Sequence, residues 1–462
     1  MELWGLWHDI ASSLRPAFSR TRTYLWFLVA LSGFCVRSDL LGVTSFARAH
    51  GLGWRGYDRL LDMFHSGGLD ARRLRSVWVK AVLRFASPFV WQVNGRPVLL
   101  CDGIKIPKSG RRMPGVKKLH QESESNTKPE YIFGHMLQAV SLLATSGGMF
   151  FAIPLGAEIH DGVVFSNRCA KTLLDRLLGM VFALGFDTSA YLVADAYYGS
   201  RKMVRGLLDR GSHLVTRLKS NAVAYRPAER VCSRIGRPRL YGEKLRLYDL
   251  FDQPQGWACA RVPLYGKEEP VEYLSVRLLW RPVGHEVLFV LVKLADGRRC
   301  VLLSSDLMLH PLLVLRMYAV RFKIEVGFKV SVRIVGAMGY HFWMRQMKRI
   351  GREGKNMYLH RESDEYRTAV RRKLAAYHNF IQIGLIAQGL MLLLALSKPE
   401  QVWSRFASWM RTMNLNGIPS EWVAAESLRN TLPEFLRSAG EDNDWAKFLR
   451  ENAERKRPKS AA

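Results

Sequence analysis

The sequence predicts a mixed α/β fold: a mixed sheet flanked by helices, carrying a β-rich insertion, with helical regions at both ends of the chain. Three observations carry that expectation. Between residues 96 and 218, apolar runs and amphipathic stretches succeed one another in the order strand, strand, strand, helix, strand, helix, strand. Before 95, apolar residues recur at three- and four-residue steps, the spacing of one helix face, and after 351 the chain returns to helical stretches. Between about 221 and 305, short alternating runs separated by turn residues such as Asp296-Gly297 suit antiparallel strands.

The elements follow in order. Residues 1–95 are expected to be helical, with apolar periodicity in Thr23–Phe34 and Leu74–Phe85. The Gly-punctuated, Arg-studded segments between them suit either a small DNA-binding bundle or a helical cap on the core. Residues 96–350 form the expected central domain. Arg96-Pro-Val-Leu-Leu-Cys-Asp102 reads as a buried strand, Gly103 to Glu130 as a long polar loop, and Tyr131–Thr145 and Met149–Ile159 as strands. Arg168–Leu184 reads as a helix, Tyr191–Asp195 as a strand, Arg201–Arg210 as a helix and Ser212–Leu218 as a strand. The insertion at about 221–305 opens on Tyr225 to Arg246, rich in Arg and Pro, which is either a DNA-contacting arm or a solvated loop. His310 to about Arg349 is expected to be mainly helical. The region 351–462 returns to helix over Tyr366 to Leu396, Val402 to Met410 and Trp422 to Phe448, and ends in a basic tail, Arg455-Lys-Arg-Pro-Lys459.

Composition narrows the function. The 462 residues hold 69 Lys and Arg against 40 Asp and Glu, a net charge of +29. So large an excess favours a polyanionic partner, with DNA or RNA expected before a ribosome-associated or membrane-surface role. Six cysteines without CxxC or zinc-finger spacing predict reduced, mostly buried thiols in the cytoplasm. The opening Met-Glu-Leu-Trp-Gly-Leu-Trp lacks the basic start of a signal peptide. Phe380 to Leu396 is apolar but contains Gln382 and Gln388, so a buried core helix is expected and no membrane partner.

Three acidic residues stand in contexts that suit chemistry. Asp102 ends the run Val98-Leu-Leu-Cys, and Asp195 ends Tyr191-Leu-Val-Ala. Sites in α/β sheets gather at strand ends, although a single aspartate there is often only a turn or cap residue. Tyr318, Arg321, Glu325 and Lys329, spaced three, four and four apart, share one helical stripe. Their alternative is a solvated face with an Arg–Glu pair. The apolar residues around them, Val320, Phe322, Ile324, Val326 and Phe328, favour a packed helix whose polar stripe faces a cleft. Three carboxylates so held can gather hard divalent cations. After Asp102, Lys105, Lys108, Arg111, Arg112, Lys117 and Lys118 form either a phosphate-binding strip or a solvated loop. His120, His135 and His160 suit structural hydrogen bonds better than ligation. Tyr340 and Trp343 suit packing better than stacking on a displaced base.

The stretches Leu100-Cys-Asp-Gly-Ile104, Leu192-Val-Ala-Asp-Ala-Tyr-Tyr-Gly199, His213-Leu-Val-Thr-Arg-Leu-Lys219 and Leu302-Leu-Ser-Ser-Asp306 precede Tyr318-x-x-Arg321-x-x-x-Glu325-x-x-Phe328. In these the chain resembles the DDE transposases of bacterial insertion sequences, in the group with a Tyr-Arg-Glu-Lys signature, over roughly residues 95 to 350. It departs at one point. The signature's lysine, expected seven residues after the glutamate, falls on Val332, with Lys329 and Arg333 as the nearest basic residues. The resemblance implies a ribonuclease-H-like fold for 96–350, and two Mg²⁺ (Mn²⁺ as substitute) held by Asp102, Asp195 and Glu325. It further implies cleavage at transposon ends and strand transfer into target DNA. Tyr318, Arg321, Lys329 and Arg333, with Lys105 and Lys108, would contact DNA. The partners would be terminal inverted repeats, target DNA and a second copy of the chain, on the nucleoid in a bacterial cytoplasm. The alternatives are a DNA-binding relative with a decayed active site, prompted by Val332, and another nuclease of the same fold such as a junction resolvase.

Overall fold

The computed structural model describes residues 2–121, 129–186, 189–228, 239–264, 266–407, 412–440 and 443–453. Five helices open the chain: α1 (Glu2–Ser12), α2 (Thr21–Val36), α3 (Val43–Ala49), α4 (Trp54–Phe64) and α5 (Ala71–Phe85). Asp70 starts α5, its carboxylate accepting the amides of Arg72 and Arg73. The chain then turns to strands: β1 (Gln92–Val93), β2 (Arg96–Pro107), β3 (Lys117–His120), β4 (Tyr131–Ser146), β5 (Met149–Ile159) and β6 (Val163–Val164). Helices and strands next alternate as α6 (Leu173–Phe182), β7 (Tyr191–Ala194), α7 (Arg201–Leu208) and β8 (His213–Arg217). The insertion contributes β9 (Val223–Pro227), β10 (Tyr241–Arg246), β11 (Ala258–Leu264), β12 (Lys267–Trp280), β13 (His285–Leu294) and β14 (Arg299–Ser304). The chain closes with α8 (Pro311–Ala319), α9 (Lys323–Val330), β15 (Met357–Tyr358), α10 (Asp364–Ser397), α11 (Pro399–Arg405), α12 (Glu421–Ser438) and α13 (Asp444–Asn452).

The architecture is mixed α/β around one large mixed sheet. Its main path runs β10-β9-β12-β13-β14-β8-β7-β2-β4-β3, with β5 added at β4, β1 at β2 and β11 at β12. At its centre β2, β7 and β8 are parallel, and antiparallel β4 and β14 flank them. The insertion therefore continues the sheet edge-on, because β14 pairs with β8.

One sheet face packs on α8 and α9 through Val98, Leu100, Val193, Val215, Val314, Met317, Val320 and Ile324. The other packs on helices from both ends of the chain, gathered around α10. Phe34, Phe46, Phe64 and Phe380 interlock there. Trp4 and Trp7 pack against Trp445 at ring distances of 5.5 and 4.9 Å. The apolar stretch of α10 is long enough to cross a membrane, but 94% of it is buried inside the fold. It is a core helix, apolar all round because protein surrounds it.

Several expectations need correction. Gly103 to Glu130 is not a single loop: β2 runs on to Pro107 against β4, and β3 follows. The helix expected at Arg168 begins at Leu173, where Thr172 and Asp175 form a capping box. The helical region after His310 ends at Gly336 rather than Arg349. Gly336 takes a left-handed φ of 68°, and a Cβ there would meet the Arg37 guanidinium, so only glycine suits this stop. The helix expected over Trp422 to Phe448 is two, α12 and α13. That expected over Val402 to Met410 is α11, ending at Arg405. Cys169 and Cys259 are exposed, against the expectation of mostly buried thiols. Part of the Arg- and Pro-rich segment, 229–238, and the basic tail lie outside the described residues.

Burial of the ring pushes His135 down to about 3, and His50 and His378 down to about 4. These rings are neutral when folded and gain a proton on unfolding below their ordinary 6.5. The unfolded chain then binds more protons, so stability should fall as pH drops from 6.5, the contribution of His50 and His378 levelling off near 4 and that of His135 near 3. Each pH unit of difference is worth about 1.4 kcal/mol per ring. Thermal melts across pH 7.5 to 4 check this: a flat melting temperature down to pH 4.5 would contradict it.

Candidate active site

Parallel pairing puts the two aspartates side by side. Cys101 of β2 stands opposite Ala194 of β7, so Asp102 and Asp195 are the next residues on neighbouring strands. β7 stops there while β2 continues on its pairing with β4, so Asp102 lies mid-strand, at the rim where its parallel partner ends. Such a rim is where parallel sheets present functional groups. Asp195 is set by its backbone. Its carbonyl accepts from the Tyr198 amide and from Thr216 Oγ1, both at 2.9 Å, leaving the carboxylate free of structural duty.

The third acid arrives on a helix that covers this face. One 3₁₀ turn, Val320–Phe322, joins α8 to α9, and a π turn, Ser331–Val335, follows α9. Val320 and Ile324 pin the segment to the sheet, which directs Tyr318, Arg321 and Glu325 to the acidic rim. Arg321 lies between the acids. Its Nη1 donates to Asp102 Oδ2 at 3.0 Å and its Nη2 to Glu325 Oε1 at 2.8 Å. Tyr318 Oη lies 3.5 Å from Asp195 Oδ1, at the outer limit of a hydrogen bond. Gln388 of α10 steadies the segment from behind: its Nε2 donates to the Gly327 carbonyl and its Oε1 accepts from Ser331 Oγ. Sequence reasoning missed Gln388 and Thr216. Polar residues on an apolar helix and at a strand end were the available signals.

The electrostatics match this arrangement. Burial raises the Asp102 carboxyl above its ordinary range; Glu325 and Asp195 push the same way, and Arg321 and the Gly103 amide oppose. Burial alone would lower Arg321, but Asp102, Glu325 and Asp195 hold it firmly charged. Burial pushes the Tyr318 hydroxyl up to about 12, so it keeps its proton. The rim thus holds surplus negative charge, only partly met by one guanidinium.

The other expected residues divide. Lys329 and Arg333 are exposed, as is Val332, and no side-chain hydrogen bond or ion pair ties either basic group to another described residue. Lys105 is half-buried, its Nζ donating to the His120 carbonyl at 2.7 Å. Lys108 does not face a ligand. It is buried, its Nζ donates to the Met338 and Tyr340 carbonyls, and it lies 3.7 Å above the Tyr340 ring. The fold needs its long stem and three donors to close carbonyls left after the α9 segment. His135 and Tyr340 are buried partners at 2.7 Å, and His160 is buried against Gln138 at 2.6 Å, as structural groups. Trp343 is 67% exposed, against the expectation of packing. Asp306 lies at the opposite end of β7, bonded to Tyr191 Oη at 2.6 Å, and takes no part in the rim.

Asp102, Asp195 and Glu325 offer only oxygen donors, the kind a hard divalent cation takes. With Arg321 between two of them, no three His, Cys, Asp or Glu side chains among the described residues form one ready ligand set. The donors fit such an ion in chemistry; Arg321 must give way for them to gather.

The profile of the DDE superfamily endonucleases matches residues 13–272, a span that contains Asp102 and Asp195. The chain belongs to the DDE superfamily endonuclease family. Membership in this endonuclease family implies use of a divalent metal without naming the ion. A cryo-EM structure of a piggyBac transposase synaptic complex with hairpin DNA aligns over 96% of this chain and 78% of that chain. Identity there is 11% and the TM-score 0.38. Among curated proteins, no match was found.

Proposed function

We propose that this DDE-family protein is a DNA transposase of the insertion-sequence type, with a ribonuclease-H-like catalytic domain, acting as a homodimer on DNA. The observation that carries the reading is the pairing of Asp102 and Asp195 on adjacent parallel strands beneath Arg321 and Glu325. Asp102, Asp195 and Glu325 would hold two Mg²⁺, or Mn²⁺ in their place. When bound, such ions activate water against a phosphodiester and stabilise the leaving 3′ oxygen. The residues around them supply position. Arg321 is a fork suited to two phosphate oxygens once it leaves the carboxylates. Tyr318 keeps its proton and can donate to a phosphate. Lys329 and Arg333, exposed one and two turns beyond Glu325, take the part of the signature's lysine. The N-terminal helices are proposed to add DNA contacts through their exposed basic faces.

The test is an end-cleavage and joining assay on the DNA flanking the coding region. Cleavage should require Mg²⁺ or Mn²⁺ and stop on adding a chelator, and the freed 3′ ends should join a supercoiled target. Cleavage that persists in chelator would overturn the metal chemistry. Cleavage without joining would leave a nuclease and overturn the transposase reading.

A further inference from the structure

Beyond Asp102, β2 runs into a second feature that the catalytic reading does not use. The segment after Pro107 and the segment after the α9 region are zipped together: the Met344 amide donates to Arg112 O at 3.0 Å, Ile350 to Arg111 O at 2.8 Å and Lys118 to Gly354 O at 2.9 Å. Buried Lys108 ties both to the core. Between them lies a cavity of about 270 Å³, with Phe133, Val116 and Ile350 as apolar walls and Arg111 and Arg352 at its mouth. Phe133 is 39% exposed. Trp343 stands at the rim, its Nε1 so close to Gly110 that a Cβ there would lie 3.3 Å away.

The charge around this cavity is one-sided. Arg111 and Arg352 are exposed and make no side-chain hydrogen bond or ion pair with another described residue. Arg345, Lys348 and Arg349 are exposed beside them. In segments 105–118 and 341–355 the one acid is Glu353, and Lys355 already pairs with it. A protein partner would need acidic side chains to match this surface and something flat to fill the aromatic cup. A nucleotide brings both: a π-face for Phe133 and Trp343, and a phosphate for the two guanidiniums.

We infer that this cup binds one unpaired nucleotide of the DNA whose scissile phosphate lies at Asp102. The inference rests on the reading of the chain as a DNA-cleaving enzyme. Pro107 is five residues past Asp102, about 17 Å along an extended strand, and the cup begins just beyond. At about 3.4 Å per nucleotide where the DNA stays paired up to the cup, that reach corresponds to about five nucleotides or more between the cut and the bound base.

The experiment compares binding of a fluorescent dT20 single strand and a 20-base-pair duplex to the full chain, by anisotropy without metal. Phe133→Ala and Arg352→Ser should each weaken dT20 binding about tenfold and change duplex binding less than about threefold. Arg352 is on the surface, so its variant keeps the test valid if Phe133→Ala does not fold. Unchanged dT20 binding overturns the inference. Equal losses on both DNAs also overturn it, leaving a plain phosphate-binding surface. If the wild-type chain cuts no DNA while the cup variants still lose dT20, the cup stands and the catalytic reading fails.

Discussion

Asp195→Asn should reduce metal-dependent DNA cleavage by at least about 10³-fold, the scale of loss when one member of a catalytic unit is removed. The substitution is nearly isosteric and takes away one negative charge from a proposed metal ligand. It should spare the fold, because the structural work of Asp195 is done by its backbone carbonyl, which holds the Tyr198 amide and Thr216 Oγ1. The carboxylate's one described hydrogen bond is the long contact to Tyr318, which an asparagine oxygen can still accept. The stability change should therefore stay within about 1 kcal/mol. DNA affinity should hold or rise slightly, since a charge that repels phosphate is gone. This separation of activity from folding and binding makes Asp195 a cleaner probe than Asp102, whose loss also strips a partner from Arg321. Purified variant and wild type should be compared for end cleavage in Mg²⁺, melting temperature and DNA binding. Undiminished cleavage would remove Asp195 from the chemistry.

What could be read in the sequence was local. Val98–Cys101 and Tyr191–Ala194 are apolar without alternation, as strands buried on both faces must be, so the two aspartates stood out at their ends. The Arg321–Glu325 pair is an i,i+4 contact within one segment, and its spacing is visible in the letters. What could not be read depends on partners far along the chain. β2 continues past Asp102 because β4 supplies the next pairing, which no property of residues 103–107 announces. Lys108 resembles any loop lysine until the fold brings Met338 and Tyr340, more than 200 residues later, over its ammonium. The same holds for Arg321. Its neighbour Glu325 was legible, but its 219-residue reach to Asp102 was not, and that reach places a cation between the proposed ligands.

The largest stability loss should follow from Arg75→Met. Arg75 is 1% exposed on α5, where it joins the N-terminal helices to the sheet and to α10. Its Nη1 donates to Glu158 Oε1 on β5 at 2.7 Å and its Nε to Gln382 Oε1 on α10 at 3.2 Å. Burial alone would raise the Glu158 carboxyl, but His160, Arg75 and His378 hold it well below the usual carboxylate range. Methionine keeps the volume and removes the charge, leaving Glu158 largely buried with His160 at 3.6 Å and the exposed Arg72 at 4.0 Å as its remaining near partners. Removing one partner of a buried pair costs about 3–5 kcal/mol, and the residual exposure of Glu158 places the expected loss near the lower value. Arg75→Met combined with Glu158→Gln should recover part of it, because no charge is then stranded. A carboxyl held below its ordinary 4.5 contributes stability above that pH and loses it as pH falls towards the folded value. The gap between wild type and Arg75→Met in chemical denaturation should therefore be full at pH 7 and shrink below about pH 4.5. A gap that is absent at pH 7, or that widens in acid, would show that the Arg75–Glu158 contact does not hold the helices to the sheet.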